Sequence, residues 1–368
     1  MSSVHLCGLN KKFGDQAVLG NLDLTVESGT YLVLLGSSGC GKTTTLRVMS
    51  GLEAPDAGQV MMNGRDVTKV PPRKRDVSMV FQNDGLYPHL NVEQTIRLAL
   101  RGRCHPSDKE ARFCDAVSLT GVGEILTRSP GQLSGGELRR AAIATAIVKR
   151  TSIRLLDEPL SALDVPVRER LQADILRWHA EVPGTTIHVT HDGSEAMRMA
   201  DQIAVMDRGR IIQTGTPEAV YDQPHSMAVA KAIGTPTMNW LQGEVVGGVL
   251  LIDQPDVTAN GGLRVDGANG DVMIGVRPSA FVVGDIVEDG TQTPGVDLRT
   301  LLEDCRLVEG ALEVTLSANN QILKAVFERS VQRFLPSVGG VFPLHVPVAN
   351  VHLFSCLTEQ RLKLHGVG

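Results

Sequence analysis

The sequence predicts an α/β domain with buried parallel strands, followed by a small all-β domain. Three observations predict it. Short apolar runs alternate with helix-like stretches through the first part of the chain, the order of βα units. One of these runs, Tyr31-Leu32-Val33-Leu34-Leu35, leads straight into a glycine-rich loop and a helical segment. Beyond Gly234 helical periodicity is weak, and short runs divided by glycine-rich turns take over. The chain has 368 residues, more than one compact core usually serves, so two domains are expected.

Val4 to Leu9 and Ala17 to Leu24 read as short strands broken by Gly14 and Gly20. The run Tyr31 to Leu35 suits a strand buried on both faces of a parallel sheet. The segment after Thr43 has helical apolar spacing and stops at Gly51, and Asn91 to Ile125 also reads as helical. Ser152 to Leu156 predicts a second buried strand ending at Asp157, although Arg154 is unusual in one. Val165 to Ala180 predicts a helix, Thr185 to Val189 a third buried strand, and Ile203 to Met206 another. Thr235-Pro236-Thr237 reads as a linker, which sets the domains at 1–235 and 236–368. In the second, Val272 to Val276, Leu312 to Leu316 and Ile322 to Phe327 read as strands.

Composition narrows the function. Hydrophobic residues make up 42%, enough for packed cores. The net charge is -5 and no long basic run appears, which argues against nucleic acid as a main partner, since phosphate backbones select clustered Lys and Arg. Cys7, Cys40, Cys104, Cys114, Cys305 and Cys356 fit neither a zinc site nor a dense disulfide framework, so reduced thiols in a cytoplasmic protein are expected. The N-terminal stretch lacks the apolar core of a signal peptide, and no run approaches the roughly 18 apolar residues a spanning helix needs. A membrane role therefore has to come through a partner.

The stretch Gly36-Ser37-Ser38-Gly39-Cys40-Gly41-Lys42-Thr43 fits G-x-x-x-x-G-K-[ST]. Glycines let backbone N–H groups curl around phosphates, and the following helix points its positive end at them. Lys42 can reach the β- and γ-phosphates of a nucleotide, and the Thr43 hydroxyl can ligate Mg²⁺; Thr44 follows on the same turn. Phosphoryl transfer also needs a carboxylate near the metal. Asp157, at a strand end, would hold Mg²⁺, and Glu158 would orient the attacking water. A third stretch, Leu133-Ser134-Gly135-Gly136-Glu137, precedes a helical run and forms either another anion nest or an ordinary capping box of Ser134 with Glu137. One ATP does not need two such loops from one subunit, unless the second serves the ATP of a neighbour.

With these motifs in this order, residues 1–235 resemble the ATP-binding-cassette ATPases. GSSGCGKT is similar to the Walker A loop, LLDEP to Walker B, LSGGE to the signature LSGGQ and Ser161-Ala162-Leu163-Asp164 to the D-loop. Gln82 falls at the Q-loop glutamine, His191 at the switch histidine, and Phe13 where the family stacks a ring on adenine. The resemblance implies a P-loop ATP-binding-cassette domain with a C-terminal all-β OB-like (TOBE-type) domain that serves regulation and dimer contacts. It implies ATP and Mg²⁺ as cofactors, with Thr43, Gln82 and Asp157 at the metal and Glu158, His191, Lys42 and Gln82 in catalysis. It also implies a head-to-tail pair of cassettes, each ATP lying between one subunit's Walker A loop and the other's signature, which answers the two-loop question. Membrane permease subunits and, through them, a solute-binding protein are the implied partners, with the chain peripheral on the cytoplasmic face of the inner membrane.

Three stretches resemble the sugar-importer branch of maltose-importer type: Leu86-Tyr87-Pro88-His89-Leu90, Gly234-Thr235-Pro236-Thr237-Met238-Asn239 and Ile274-Gly275-Val276-Arg277-Pro278. Importers of polyamines, iron or sulfate share the layout but usually vary the first two. This chain departs from the branch at Glu137, in place of glutamine; at Thr145, in place of arginine; at Val165-Pro166-Val167 after the D-loop; and at Ser279, in place of glutamate. A carboxylate about 8 Å from the partner's triphosphate costs about 2 kcal/mol at an effective dielectric of ~20, before screening. The expectation is an active but slow ATPase, or one half of a heterodimer. A soluble cassette protein working on ribosomes or DNA is a poorer fit, because such proteins carry two cassettes or a coiled-coil insertion. A nucleotide-binding regulator without catalysis is disfavoured by the intact Glu158 and His191.

Overall fold

A computed structural model describes residues 2–81, 86–101, 105–161, 163–284, 293–308 and 310–366. The predicted Gln82, and Ala162 of the D-loop stretch, lie outside the described residues. The chain divides into two compact units, Met1–Asp222 and Gln223–Gly368.

The first unit opens with strands β1 (Val4–Phe13) and β2 (Gln16–Val26), paired antiparallel with Phe13 opposite Gln16. Gly14 turns the chain with a φ of 57°. Gly20 does not break the second strand as its glycine suggested; register shifts around Leu9 and Lys11 absorb the irregularity, and the Gly20 N–H donates to the Gly209 carbonyl at 3.1 Å. Then follow β3 (Tyr31–Leu35), α1 (Lys42–Ser50), β4 (Ala57–Met62) and β5 (Arg65–Asp66). The antiparallel sheet has the order β2-β1-β4-β5.

The unit continues with β6 (Val77–Val80), α2 (Val92–Ala99), α3 (Lys109–Thr120), α4 (Gly135–Ile147), β7 (Ile153–Asp157), α5 (Val165–Glu181), β8 (Thr185–Thr190), α6 (Gly193–Met199), β9 (Gln202–Asp207), β10 (Arg210–Gly215) and α7 (Pro217–Asp222). The predicted helical region from Asn91 resolves into α2 and α3, with Asn91 and Gln94 forming a capping box at the start of α2. The central sheet runs β10-β9-β3-β8-β7-β6, parallel apart from the β9–β10 hairpin. Every residue of β3, β7 and β8 is buried, which is why their sequences are near-continuous apolar or threonine-rich runs. The carboxyl ends of these three strands lie side by side, with Leu35 opposite Thr190 and Asp157 opposite Val189. That edge is where α/β sheets bind ligands.

Arg154 is tolerated in β7 because its long side chain finds partners inside. It is 1% exposed; its guanidinium lies 4.8 Å from the Trp178 ring and donates to the Val182 and Pro183 carbonyls. Burial pushes its pKa down to about 10, which still leaves it charged at neutral pH.

The second unit begins with a helix, Met227–Ala232, whose Met227 and Ala230 pack with Met238 and Phe354. The rest is antiparallel. A seven-stranded sheet is centred on Asn239–Val246, Gly270–Val276 and Val351–Ser355, and a six-stranded one on Gly295–Val308, Ala311–Ala318 and Val341–Pro347. One hydrophobic core joins them, from Leu241 and Ile274 to Leu316 and Val346. The all-β character expected after Gly234 is what these residues adopt.

Candidate functional site

The site is built at the carboxyl ends of β3, β7 and β8. Gly36 leaves β3 where a Cβ would sit 2.3 Å from the Met206 carbonyl oxygen, so only glycine fits. Gly41 has a φ of 110° and caps α1 without a side-chain bond. The first-turn N–H groups of that helix therefore stay open to an anion. Ser37, Ser38, Gly39 and Thr43 are exposed, Thr44 is half-buried, and Gly36, Cys40, Gly41 and Lys42 are buried. Burial pushes the Cys40 thiol up, and the Cys40 backbone is tied in on both sides, its N–H donating to the Ser37 carbonyl at 3.3 Å and its carbonyl accepting from the Gly209 N–H at 3.0 Å.

Lys42 is 4% exposed, and its Nζ donates to the Gly36 and Ser37 carbonyls at 2.8 Å each. The ammonium thus lies curled within its own loop. Thr43 donates its hydroxyl to Asp157 Oδ1 at 3.0 Å. Asp157 is buried, which pushes its carboxyl up, against the opposing pull of that bond. Glu158, next in the chain, has a φ of 45°, and its N–H donates to the Val189 carbonyl at 3.0 Å, tying it to β8. Its Oε1 lies 3.4 Å from His191 Nδ1, and His191 is half exposed. Lys42, Thr43, Asp157, Glu158 and His191 are therefore one constellation, joined by chain succession and by the two side-chain pairs. Such a group can hold a triphosphate, a divalent cation and an attacking water.

Phe13 stands apart at the tip of β1, 48% exposed, with the Lys11 ammonium 5.1 Å from its ring. It is not core. Ser134, Gly135, Gly136 and Glu137 form the start of α4. Ser134 and Glu137 make a reciprocal capping box: Glu137 Oε2 accepts from the Ser134 N–H at 2.8 Å and from its hydroxyl at 2.9 Å. Gly136 packs against Val167, whose Cγ1 lies 2.6 Å from where a Cβ would stand, so a larger residue there would have to displace that methyl. The hydrogen bonds of this loop stay within its own helix end and Arg128, whose Nη1 donates to Glu137 Oε1 at 3.2 Å. The Ser134 groups, then Arg128 and Arg140, hold the Glu137 carboxyl below the usual carboxylate range. Reading the sequence alone missed Arg128 as its countercharge; a basic residue nine positions upstream carries no periodic signal.

The sequence matches the ABC transporter family pattern over residues 19–161. A sulfoquinovosyl glycerol transport ATP-binding protein of Agrobacterium fabrum is 35% identical, over 98% of this chain and 100% of the relative. An sn-glycerol-3-phosphate import ATP-binding protein of Burkholderia thailandensis is 36% identical, over 98% and 99%. An osmoprotective-compound uptake ATP-binding protein of Synechocystis is 39% identical, over 76% and 78%. Among solved structures, a dimeric ATP-binding cassette in a post-hydrolysis state with ADP and Pi is 26% identical, with a TM-score of 0.53 over 58% of this chain and 98% of that one.

Proposed function

The chain belongs to the ATP-binding subunits of ABC transporters, and we propose that it is the ATP-hydrolysing, energy-coupling subunit of a bacterial importer of a carbohydrate, polyol or sugar phosphate. The observation that carries the reading is the gathering of Lys42, Thr43, Asp157, Glu158 and His191 at one sheet edge, behind an open helix N-terminus. The near full-length likeness to carbohydrate and glycerol-phosphate importer subunits supports the solute class. With this reading go the domain assignments, 1–235 as nucleotide-binding cassette and 236–368 as regulatory β domain.

In the mechanism, loop 36–44 and the first turn of α1 cradle the phosphates through backbone N–H groups. Lys42 leaves the Gly36 and Ser37 carbonyls for the β- and γ-phosphate oxygens. The Thr43 hydroxyl and Asp157 carboxylate, hard oxygen donors 3.0 Å apart, fit Mg²⁺. Held there by Thr43 and Asp157, the ion would offset the charge of the phosphates. Glu158 orients a water in line with the γ-phosphate and polarises it, and His191 contacts the γ-phosphate beside it. Gln82 senses this event and relays it. Phe13 stacks on adenine.

A second cassette supplies Ser134, Gly135, Gly136 and Glu137 to each ATP, and closure of the pair drives the permease subunits. A groove of about 220 Å³ lined by Phe81, Tyr87, Leu98 and Thr145, with Tyr87 49% exposed, supports docking of a permease segment. Among the described residues no helix is long and apolar enough to cross a membrane. Attachment to the cytoplasmic face is thus read as peripheral, through those subunits, with the solute-binding protein one step further away. Nucleic acid is not a partner in this reading.

Single-turnover hydrolysis tests it. The wild-type chain should release phosphate, and Glu158→Gln should bind ATP with little release, a deficit of ~10² or more for loss of a catalytic base. Equal inertness of the two would leave the non-catalytic regulator as the better reading.

A further inference from the structure

Behind His191 lies a buried polar chain that the mechanism above does not use. Tyr31 on β3, His188 and Thr190 on β8, and Glu195 on α6 are all at most 5% exposed. The Tyr31 hydroxyl lies 2.9 Å from His188 Nδ1, and His188 Nε2 lies 3.2 Å from Glu195 Oε1. The other carboxylate oxygen, Oε2, accepts from the Thr190 hydroxyl at 2.5 Å. That hydroxyl in turn accepts from the Asp192 N–H at 3.1 Å. Thr190 and Asp192 are the residues on either side of His191.

Burial, then the charges of Glu195 and Asp201, raises Tyr31 well above the ordinary tyrosine range, so it keeps its proton. Its hydroxyl pairs with His188 Nδ1 at 2.9 Å, while His188 Nε2 and Glu195 Oε1, 3.2 Å apart, face each other without forming a hydrogen bond. Thr190 spends its one proton on Glu195, which leaves its lone pairs for the Asp192 N–H. The groups facing Glu195 are His188 from β8, Tyr31 from β3 and Thr190 from the strand end; Asp192, on the same turn, is occupied by the Ser194 N–H and hydroxyl and the Glu195 N–H. Burying this side chain is costly, since Oε1 is left without a hydrogen bond among the described residues, and the bond it does make, through Oε2 to Thr190, ties it to the turn that carries His191.

We propose that Glu195 is a positioning residue for His191: through the Thr190 hydroxyl it fixes the backbone on both sides of the histidine, with the Tyr31-bonded His188 ring packed beside its other oxygen. The same path links His191 to β3, whose far end carries Gly36 and the phosphate loop. The proposal rests on the reading that His191 acts on the γ-phosphate.

The test is ATP hydrolysis and ATP binding by Thr190→Val, Thr190→Ser, Glu195→Gln, His191→Ala and the double variant Thr190→Val/His191→Ala. Misplacement of a catalytic group by ~1 Å costs up to ~10²-fold in rate, so Thr190→Val and Glu195→Gln should lower kcat about 10-fold or more with KM for ATP nearly unchanged. Thr190→Ser, which keeps the hydroxyl, should retain the wild-type rate. The double variant should be no slower than His191→Ala alone, because the clamp acts only through that side chain. Wild-type kcat in folded Thr190→Val, or an additive loss in the double variant, would overturn the proposal. Should Glu195→Gln fail to fold, the isosteric Thr190→Val decides alone, and should that fail too, a slow but folded Thr190→Ser would count against the clamp. Full activity of His191→Ala would instead overturn the role of His191 itself, a result distinct from failure of the clamp.

Discussion

The Thr43 hydroxyl donates to Asp157 Oδ1 across 3.0 Å, joining the first turn of α1 to the end of β7. The bond pre-sets the spacing of two oxygens that a divalent cation would share. Thr43→Val keeps the shape and removes one donor. Mg²⁺ titrations of ATP hydrolysis should then show half-saturation shifted upward at least ~10-fold, the usual cost of losing a metal's supporting group. An unchanged midpoint would remove Thr43 from the metal site.

Arg128 and Glu137 make a second prediction. The concern that a signature-loop carboxylate repels the partner's triphosphate is reduced by the guanidinium 3.2 Å away. Arg128→Gln should therefore slow hydrolysis and raise KM for ATP, by up to ~30-fold if the bare repulsion approaches 2 kcal/mol. The effect should shrink in high salt. Adding Glu137→Gln to Arg128→Gln should restore the rate, and steady-state kinetics of the two singles and the double would show whether it does.

Arg154 in β7 yields a prediction about stability alone. Its Nη2 donates to both the Val182 and Pro183 carbonyls while its face lies on Trp178. Lysine cannot do both. Urea unfolding should place Arg154→Lys ~2 kcal/mol below wild type, from lost charged hydrogen bonds and stacking. ATP hydrolysis per folded molecule should not change.

His352 predicts a pH dependence of the β domain. Burial, then the charges of Arg361 and Arg277, pushes its pKa down to about 4 from the ordinary 6.5. The neutral ring is the form that fits. Its folded value lies below its unfolded one, so its contribution is fully present above pH 6.5. As pH falls from there to about 4, up to ~3 kcal/mol is lost. Melting temperature against pH should fall more steeply through that window for wild type than for His352→Gln, which cannot take a proton.

The phosphate loop and its setting were legible because local signals agreed. Tyr31 to Leu35 is apolar throughout, as a strand covered on both faces has to be, and the glycines after it meet backbone requirements at Gly36 and Gly41. Helix α5 was legible through Leu171, Ile175 and Trp178, spaced for one buried face. Gly20 misled, since a strand with register shifts carries a glycine without ending. The same limit hid the Tyr31–His188–Glu195 chain. Its members come from three elements and meet only because the parallel register sets Tyr31 opposite Thr186, beside His188. His188 within the run Thr185 to Val189 reads as one polar residue in a core strand, and nothing local names its partner. Arg128 was hidden likewise, by a turn that returns it to the start of α4.

Glu158 leaves β7 with a φ of 45°, a conformation that any side chain with a Cβ adopts at a cost of order 1 kcal/mol or more. Glycine would adopt it freely. The fold thus gives up stability at the strand end where the Glu158 carboxylate meets His191. A Glu158→Gly chain should outlast the wild type on heating while releasing no phosphate. On that outcome the resting protein is a compromise, less robust than its own inactive variant, and robustness alone would not select the residue found there.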